Sequence, residues 1–303
     1  MIDIDIERTP ELYTDYKKCL SFLQTIDDED YEYPNELTYF HVYSEFKNER
    51  EFLALKSFFA TQNLDHCELV VWSDWDISND PLIAPYKDLA LFNVYDPYSE
   101  AIGTPLENHS HLTARDSLHY MQSDLLRILL LWKYGGVWFD MDMVLLRDFK
   151  PILDQDYMHM WGIYTDFAND GAMASVVAGR KGSEFSKIFM EELINTPQTH
   201  ETINGSTCWS KNLFATMYQK NKYTIFPATF FNTEMHMPEG CVELESQWWG
   251  KPLEDLDQLF LETFAWHWHN GGGRLVVNEM CEGSKYDLLN KLTDKRLKEK
   301  GIL

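Results

Sequence analysis

No stretch of this chain is apolar for long enough to cross a bilayer, because none reaches the ~18 residues that a spanning helix needs. The opening segment, MIDIDIERTPELYTDYKK, is charged where a secretion leader would be apolar. A soluble chain is expected, and only a secreted one would use Asn204-Gly205-Ser206 as a glycosylation acceptor. Cationic residues are scarce too. Lys and Arg number 26 against 49 Asp and Glu, a formal charge of −23. Such a surface repels nucleic-acid phosphates and anionic leaflets, so no nucleic-acid partner is expected. An anionic ligand would have to be met by local cations or by a metal ion. Cysteine is sparse: Cys19, Cys67, Cys208, Cys241 and Cys281 are odd in number, scattered and without a C-x-x-C pair. Neither a disulfide framework nor a zinc site follows, and a reducing, cytoplasmic setting is the simpler expectation. Repeats, low-complexity tracts and Gly/Ser/Pro-rich linkers are also absent, so the 303 residues read as a single domain over 1–303.

What is present is core material, with 45% hydrophobic and 15% aromatic residues, enough for a sizeable interior. Strand-like and helix-like segments alternate as in α/β proteins. LTYFHVY (37–43), CELVVW (67–72) and LALFNVY (89–95) read as buried strands, with a helix in EREFLALKSFFATQ between the first two. A helix is expected from about Thr113 to Tyr134, ended by Gly135-Gly136, with GVWFDMDMVLL following as one extended segment. Further helices are expected over 183–194, 209–219 and 284–300.

The segment SDLLRILLLWKYGGVWFDMDMVLL, residues 123–146, puts charge where apolar residues dominate. From Leu125 to Trp132 only Arg127 is polar, so the helix is expected to be buried all round. Asp124 and Arg127 stand at i and i+3 on one side. They either pair with each other as a structural ion pair or converge on a polar ligand. In one continuous strand, Trp138, Asp140 and Asp142 would share a face, the two carboxylates roughly 7 Å apart. A divalent cation of the Mg²⁺ or Mn²⁺ type would relieve that repulsion, since such ions bind through one or two carboxylates plus a substrate's phosphates. His267 and His269, two apart in AWHWHNGGG, could add an imidazole arm or could be core.

SDLLRILLLWKYGGVWFDMDMVLLRDF closely resembles the S-D-x-x-R…G-G-x-Y-x-D-x-D segment of glycosyltransferases with a sugar-binding D-x-D region, especially family 32 and the α1,4-galactosyltransferase-like enzymes. Glucosylating clostridial toxins carry a related segment. NDGAMASVVAGRKGSEF (169–185) is similar to the family's Asn-Gly loop followed by a helix, and AWHWHNGGG (265–273) to its carboxy-terminal A-x-H-x-W-N-x-x-S segment. Trp138 stands where the family has Tyr or Leu, His269 where Trp is common, and Gly273 where Ser is common.

The resemblance implies a GT-A fold, a Rossmann-like α/β sheet flanked by helices. A nucleotide-sugar half would span about 35–150, an acceptor half about 151–285, and a terminal helix 284–300. It implies a retaining, metal-dependent transfer of a hexose from a nucleotide-diphosphate sugar, such as a UDP-sugar, to a glycan hydroxyl. Asp124, Arg127 and Asp170 would be catalytic. Tyr43, Asp124, Arg127, Trp138, Asp140 and Asn169 would bind the donor, and Asp140, Asp142, His267 and His269 would hold Mn²⁺ or Mg²⁺. The same residues would also suit a nucleotide-sugar hydrolase or phosphodiesterase, a toxin-like protein glucosyltransferase, or a non-catalytic binder.

Overall fold

Apolar and β-branched side chains in TYFHVY and CELVVWS leave no solvent face, as buried parallel strands require. They form β1 (Thr38–Tyr43) and β2 (Cys67–Ser73), paired in parallel from Thr38 opposite Cys67 to Tyr43 opposite Trp72. In this computed structural model the described residues are 1–44, 51–113, 120–160, 162, 172–195, 218–220, 223–231, 263–268 and 285–303. Further strands are β3 (Ala90–Val94), β4 (Gly136–Phe139), β5 (Met143–Leu145), β6 (Tyr157–Met160), β7 (Ala172–Gly179), β8 (Thr224–Phe226) and β9 (Ala265–His267). The helices are α1 (Pro10–Thr14), α2 (Tyr16–Leu23), α3 (Glu51–Thr61), α4 (Pro97–Ala101), α5 (Tyr120–Lys133), α6 (Glu184–Asn195) and α7 (Lys285–Glu299).

Seven strands make the central sheet, in the order β3-β2-β1-β4-β7-β6-β8, and β5 and β9 pair separately. β1 to β4 run parallel, β7 is reversed between β4 and β6, and β8 runs parallel to β6. The chain moves outward from β1 through β2 to β3, then returns to place β4 on the other side of β1. That reversal opens a crevice beyond the carboxyl ends of β1 and β4, the usual ligand position in open α/β sheets.

α5 is buried from Leu125 through Leu131, with every apolar residue there at 2% exposure or less. Burial of each such side chain contributes roughly 1.5–3 kcal/mol, which fixes this helix against the sheet. It ends at Gly135 and Gly136, whose φ angles are +73° and +106°. A Cβ on Gly136 would lie 2.2 Å from the Tyr39 carbonyl oxygen, and one on Gly135 2.5 Å from the Lys181 nitrogen. Only glycine both makes this turn and lets the chain enter the sheet so close to β1.

Of the helix expected from about Thr113 to Tyr134, the described residues show a 3₁₀ turn over Ser110–Thr113 and α5 from Tyr120 to Lys133, and 114–119 lie outside them. Of 209–219, only the helical residues from 218 lie among the described ones. The extended reading of 136–146 is corrected as well. β4 stops at Phe139, the Met143 N–H donates to the Asp140 carbonyl across a turn (3.0 Å), and β5 begins at Met143. The reason is a change of sheet: β4 pairs with β1 and β7, whereas β5 pairs with β9, Met143 opposite His267. Both halves are buried, the second against Leu53, Trp266, Trp268, Tyr286 and Leu289, so the apolar run shows no break. Residues 172–179, read as part of a loop, form β7, buried from Ser175 through Ala178.

His41, 1% exposed in β1, is held as one neutral tautomer. Its Nε2 lies 3.0 Å from the Gly135 carbonyl, to which it donates, and its Nδ1 accepts from Trp72 Nε1 at 3.4 Å. Burial pushes its pKa down to about 4, against the pull of the Gly135 bond. The unfolded imidazole titrates near 6.5, so the folded state binds fewer protons in between. Stability from this group is complete above about pH 6.5 and declines as the pH falls toward 4, by roughly 3 kcal/mol. Urea midpoints of wild type and His41→Gln across that range check this; equal slopes would refute it.

Candidate functional site

Asp140 is the first residue past β4, at the crevice. Its N–H donates to the Ser175 carbonyl on β7 at 2.8 Å, which fixes its backbone beyond the last ladder pair, Phe139 with Val176. Tyr43 ends β1 at the same edge, half-buried, its ring edge-on to Tyr95 at 6.2 Å. Asp142 follows in the turn. β9 brings in His267, whose Nε2 is 3.1 Å from Asp142 Oδ1, and the Trp268 N–H donates to the Asp142 carbonyl at 3.1 Å. Two residues more than a hundred positions apart are thereby joined by the small second sheet.

The charges of α5 converge on the same place. Arg127 Nη2 is 2.9 Å from Asp124 Oδ1 and 3.1 Å from Asp140 Oδ1, and the guanidinium lies over the Trp138 ring, 5.1 Å from its centroid. Asp124 and Arg127 are 4% and 5% exposed, so this is a buried ion pair extended to a third, partly exposed carboxylate. Trp138 Nε1 donates to the same Oδ1 of Asp140 at 2.7 Å. Burial pushes the Asp140 carboxyl up to about 6; Arg127 pulls it down, and the Asp142 carboxylate adds to the rise.

The expected sharing of one strand face by Trp138, Asp140 and Asp142 is replaced by this turn. Trp138 points into the protein at 1% exposure and reaches Asp140 through its N–H. Repulsion between the two carboxylates persists, because the turn keeps Asp142 close enough to raise Asp140. Asn169, Asp170 and His269 lie outside the described residues.

Two groups that the sequence did not single out lie beside the site. His159 on β6 is wholly buried: its Nδ1 is 3.0 Å from the Met160 carbonyl and its Nε2 2.8 Å from Ser175 Oγ. Burial pushes its pKa down to about 3, with His267 nearby adding to the fall. The neutral ring therefore accepts the hydroxyl of the residue whose carbonyl holds Asp140. Nothing in YMHM distinguishes such a histidine from one packed in a core, since the contact depends on an irregularity in the β6–β7 register between Tyr157 and His159.

Asp142, His267 and the outer oxygen of Asp140 are of the donor types that a Mn²⁺-like ion accepts. Among the described residues no three His, Cys, Asp or Glu form a cluster that would hold an ion alone. An ion held by these residues would need further oxygens, such as a ligand's phosphates, to complete its shell.

Residues 48–159 match the family described as a glycosyltransferase sugar-binding region containing a DXD motif. Residues 115–243 match a family described as capsular polysaccharide synthesis protein. No curated protein sequence matches the chain. Among solved structures, it resembles the apo form of the glycosyltransferase GlyE of Streptococcus pneumoniae TIGR4 at 14% identity and a TM-score of 0.50, covering 88% of this chain and 63% of that one. It also resembles the apo bifunctional glycosyltransferase WbbM at 9% identity and a TM-score of 0.52, over 89% of this chain and 51% of the other. At such identities the likeness defines the fold, which is of the GT-A type.

Proposed function

We propose that the chain is a glycosyltransferase that moves a hexose from a nucleoside-diphosphate sugar, a UDP-sugar in our reading, to a hydroxyl of a glycan, with retention and with a divalent cation. The observation that carries this reading is the meeting of Asp140, Asp142 and His267 beyond the end of β4, beside the crevice between β1 and β4. The match of residues 48–159 to a DXD sugar-binding region supports the activity, and that of 115–243 to capsular polysaccharide synthesis proteins supports a glycan acceptor.

In this reading Asp142 and His267 hold the ion, and Asp140 turns its outer oxygen toward the donor. The ion supplies charge neutralisation for the diphosphate as it departs. Asp124 and Arg127 form the polar wall next to the sugar. Each described carboxylate beside Asp140 already has a charged or imidazole neighbour, Asp124 with Arg127 and Asp142 with His267. With these carboxylates committed to partners, and Asp170 outside the described residues, we favour front-face attack, the enzyme supplying positioning and electrostatics.

The test is release of nucleoside diphosphate from a panel of UDP-sugars, with and without oligosaccharide acceptors, in Mn²⁺ or excess chelator. Acceptor-dependent release that chelator abolishes, with an α-linked first product by proton NMR, is expected. Release independent of acceptor would mark a hydrolase, and full turnover in chelator would reject the metal.

A further inference from the structure

Among the described residues, the hydrogen bonds of the Asp140 side chain fall on one oxygen. Oδ1 accepts from Trp138 Nε1 at 2.7 Å and from Arg127 Nη2 at 3.1 Å, while the side chain stays 27% exposed. The two donors are themselves joined, the guanidinium lying over the face of the indole whose edge bonds the carboxylate. The guanidinium is held in turn by Asp124. A carboxylate pinned through one oxygen by two donors has its rotation about χ2 restrained, which leaves Oδ2 as the oxygen to which no described residue donates. The indole N–H is the one polar group of the Trp138 side chain, and it is engaged in this bond.

We propose that Trp138 is a positioning residue: its indole N–H, together with Arg127, locks Asp140 so that Oδ2 alone is presented to the metal–nucleotide ligand. The proposal rests on the glycosyl-transfer reading for the identity of that ligand, but not for the clamp itself. Trp138 does not stack on the donor, being 1% exposed beneath Arg127.

Trp138→Phe keeps an aromatic ring under the guanidinium and removes the N–H. Calorimetric binding of UDP with Mn²⁺ is expected to weaken roughly 10-fold, the loss of one hydrogen bond to a charged group. Asp140→Ala, which removes the acceptor, should weaken UDP–Mn²⁺ binding at least as much, and the double variant should add little to either single one. Unchanged affinity in Trp138→Phe, or full additivity, would overturn the positioning role. A second measurement does not depend on function. With ¹⁵N-labelled tryptophan, the indole resonance that vanishes in Trp138→Phe should move upfield and exchange faster with solvent in Asp140→Ala. An unmoved resonance would overturn the clamp. If wild type fails to bind UDP–Mn²⁺, the glycosyl-transfer reading fails and the indole resonance alone decides for or against the clamp.

Discussion

Arg127→Ala is expected to destabilise the fold by about 3–5 kcal/mol, the usual consequence of removing one member of a buried ion pair. The guanidinium stands between Asp124 and Asp140, at 2.9 and 3.1 Å, with 6% of its own side chain exposed. Without it, Asp124 keeps a buried negative charge stripped of that counter-charge, and Asp140 faces Asp142 with only the Trp138 N–H and the His267 ring to offset the repulsion. The Trp138 ring also loses the cation above it. Urea unfolding at pH 7 reads the effect directly, and a shift below about 1 kcal/mol would mean that the pair is effectively solvated. Replacing Asp124 and Arg127 together by apolar residues should recover part of the loss, because the penalty arises mainly from the uncompensated charge. Impaired sugar recognition can be assigned to Arg127 only in a variant that still folds, so Arg127→Lys, which keeps the charge without the fork, is the better probe of donor binding.

Asp142→Asn is expected to lower turnover on the order of 10³-fold, the scale on which a metal ion stabilises transition-state charge. Asp140→Asn should lose less, on the order of 10-fold to 100-fold, as for residues that orient a site from its margin. The asymmetry follows from the geometry. Asp142 shares its carboxylate with His267 at 3.1 Å, the only described imidazole paired with it, whereas Asp140 has one oxygen committed to Trp138 and Arg127. An asparagine at 140 could still accept those two bonds; one at 142 offers a neutral oxygen where an ion needs charge. Mn²⁺ affinity by electron paramagnetic resonance separates the cases, dropping in Asp142→Asn and largely retained in Asp140→Asn. Equal losses in turnover with unchanged Mn²⁺ affinity in both would sink the assignment of Asp142 as the principal ligand.

The sequence by itself determined the α/β class, the first three strands, the buried helix that ends at Gly135-Gly136, and which charged residues the site would contain. Runs such as CELVVWS and LLRILLL have no polar face, so they could only be buried strand and helix, and Gly135-Gly136 could only end what preceded them. Two acids in an apolar run, the first of them four residues past Gly136, could be stable only with cations or donors nearby, and Arg127 is one of these. Tertiary structure alone decided how the charges meet. Alternation along one strand predicted a shared face for Trp138, Asp140 and Asp142, but side-chain periodicity holds only while a strand stays in one sheet. Here the chain leaves the β1–β4–β7 sheet at Asp140 and joins β9 at Met143, and both surroundings are equally apolar, so hydrophobicity leaves no mark at the bend. The same holds for His159, Ser175 and His267. Their contacts with the site depend on strand pairings between residues far apart in the chain, and local composition does not encode which distant backbone will supply a partner.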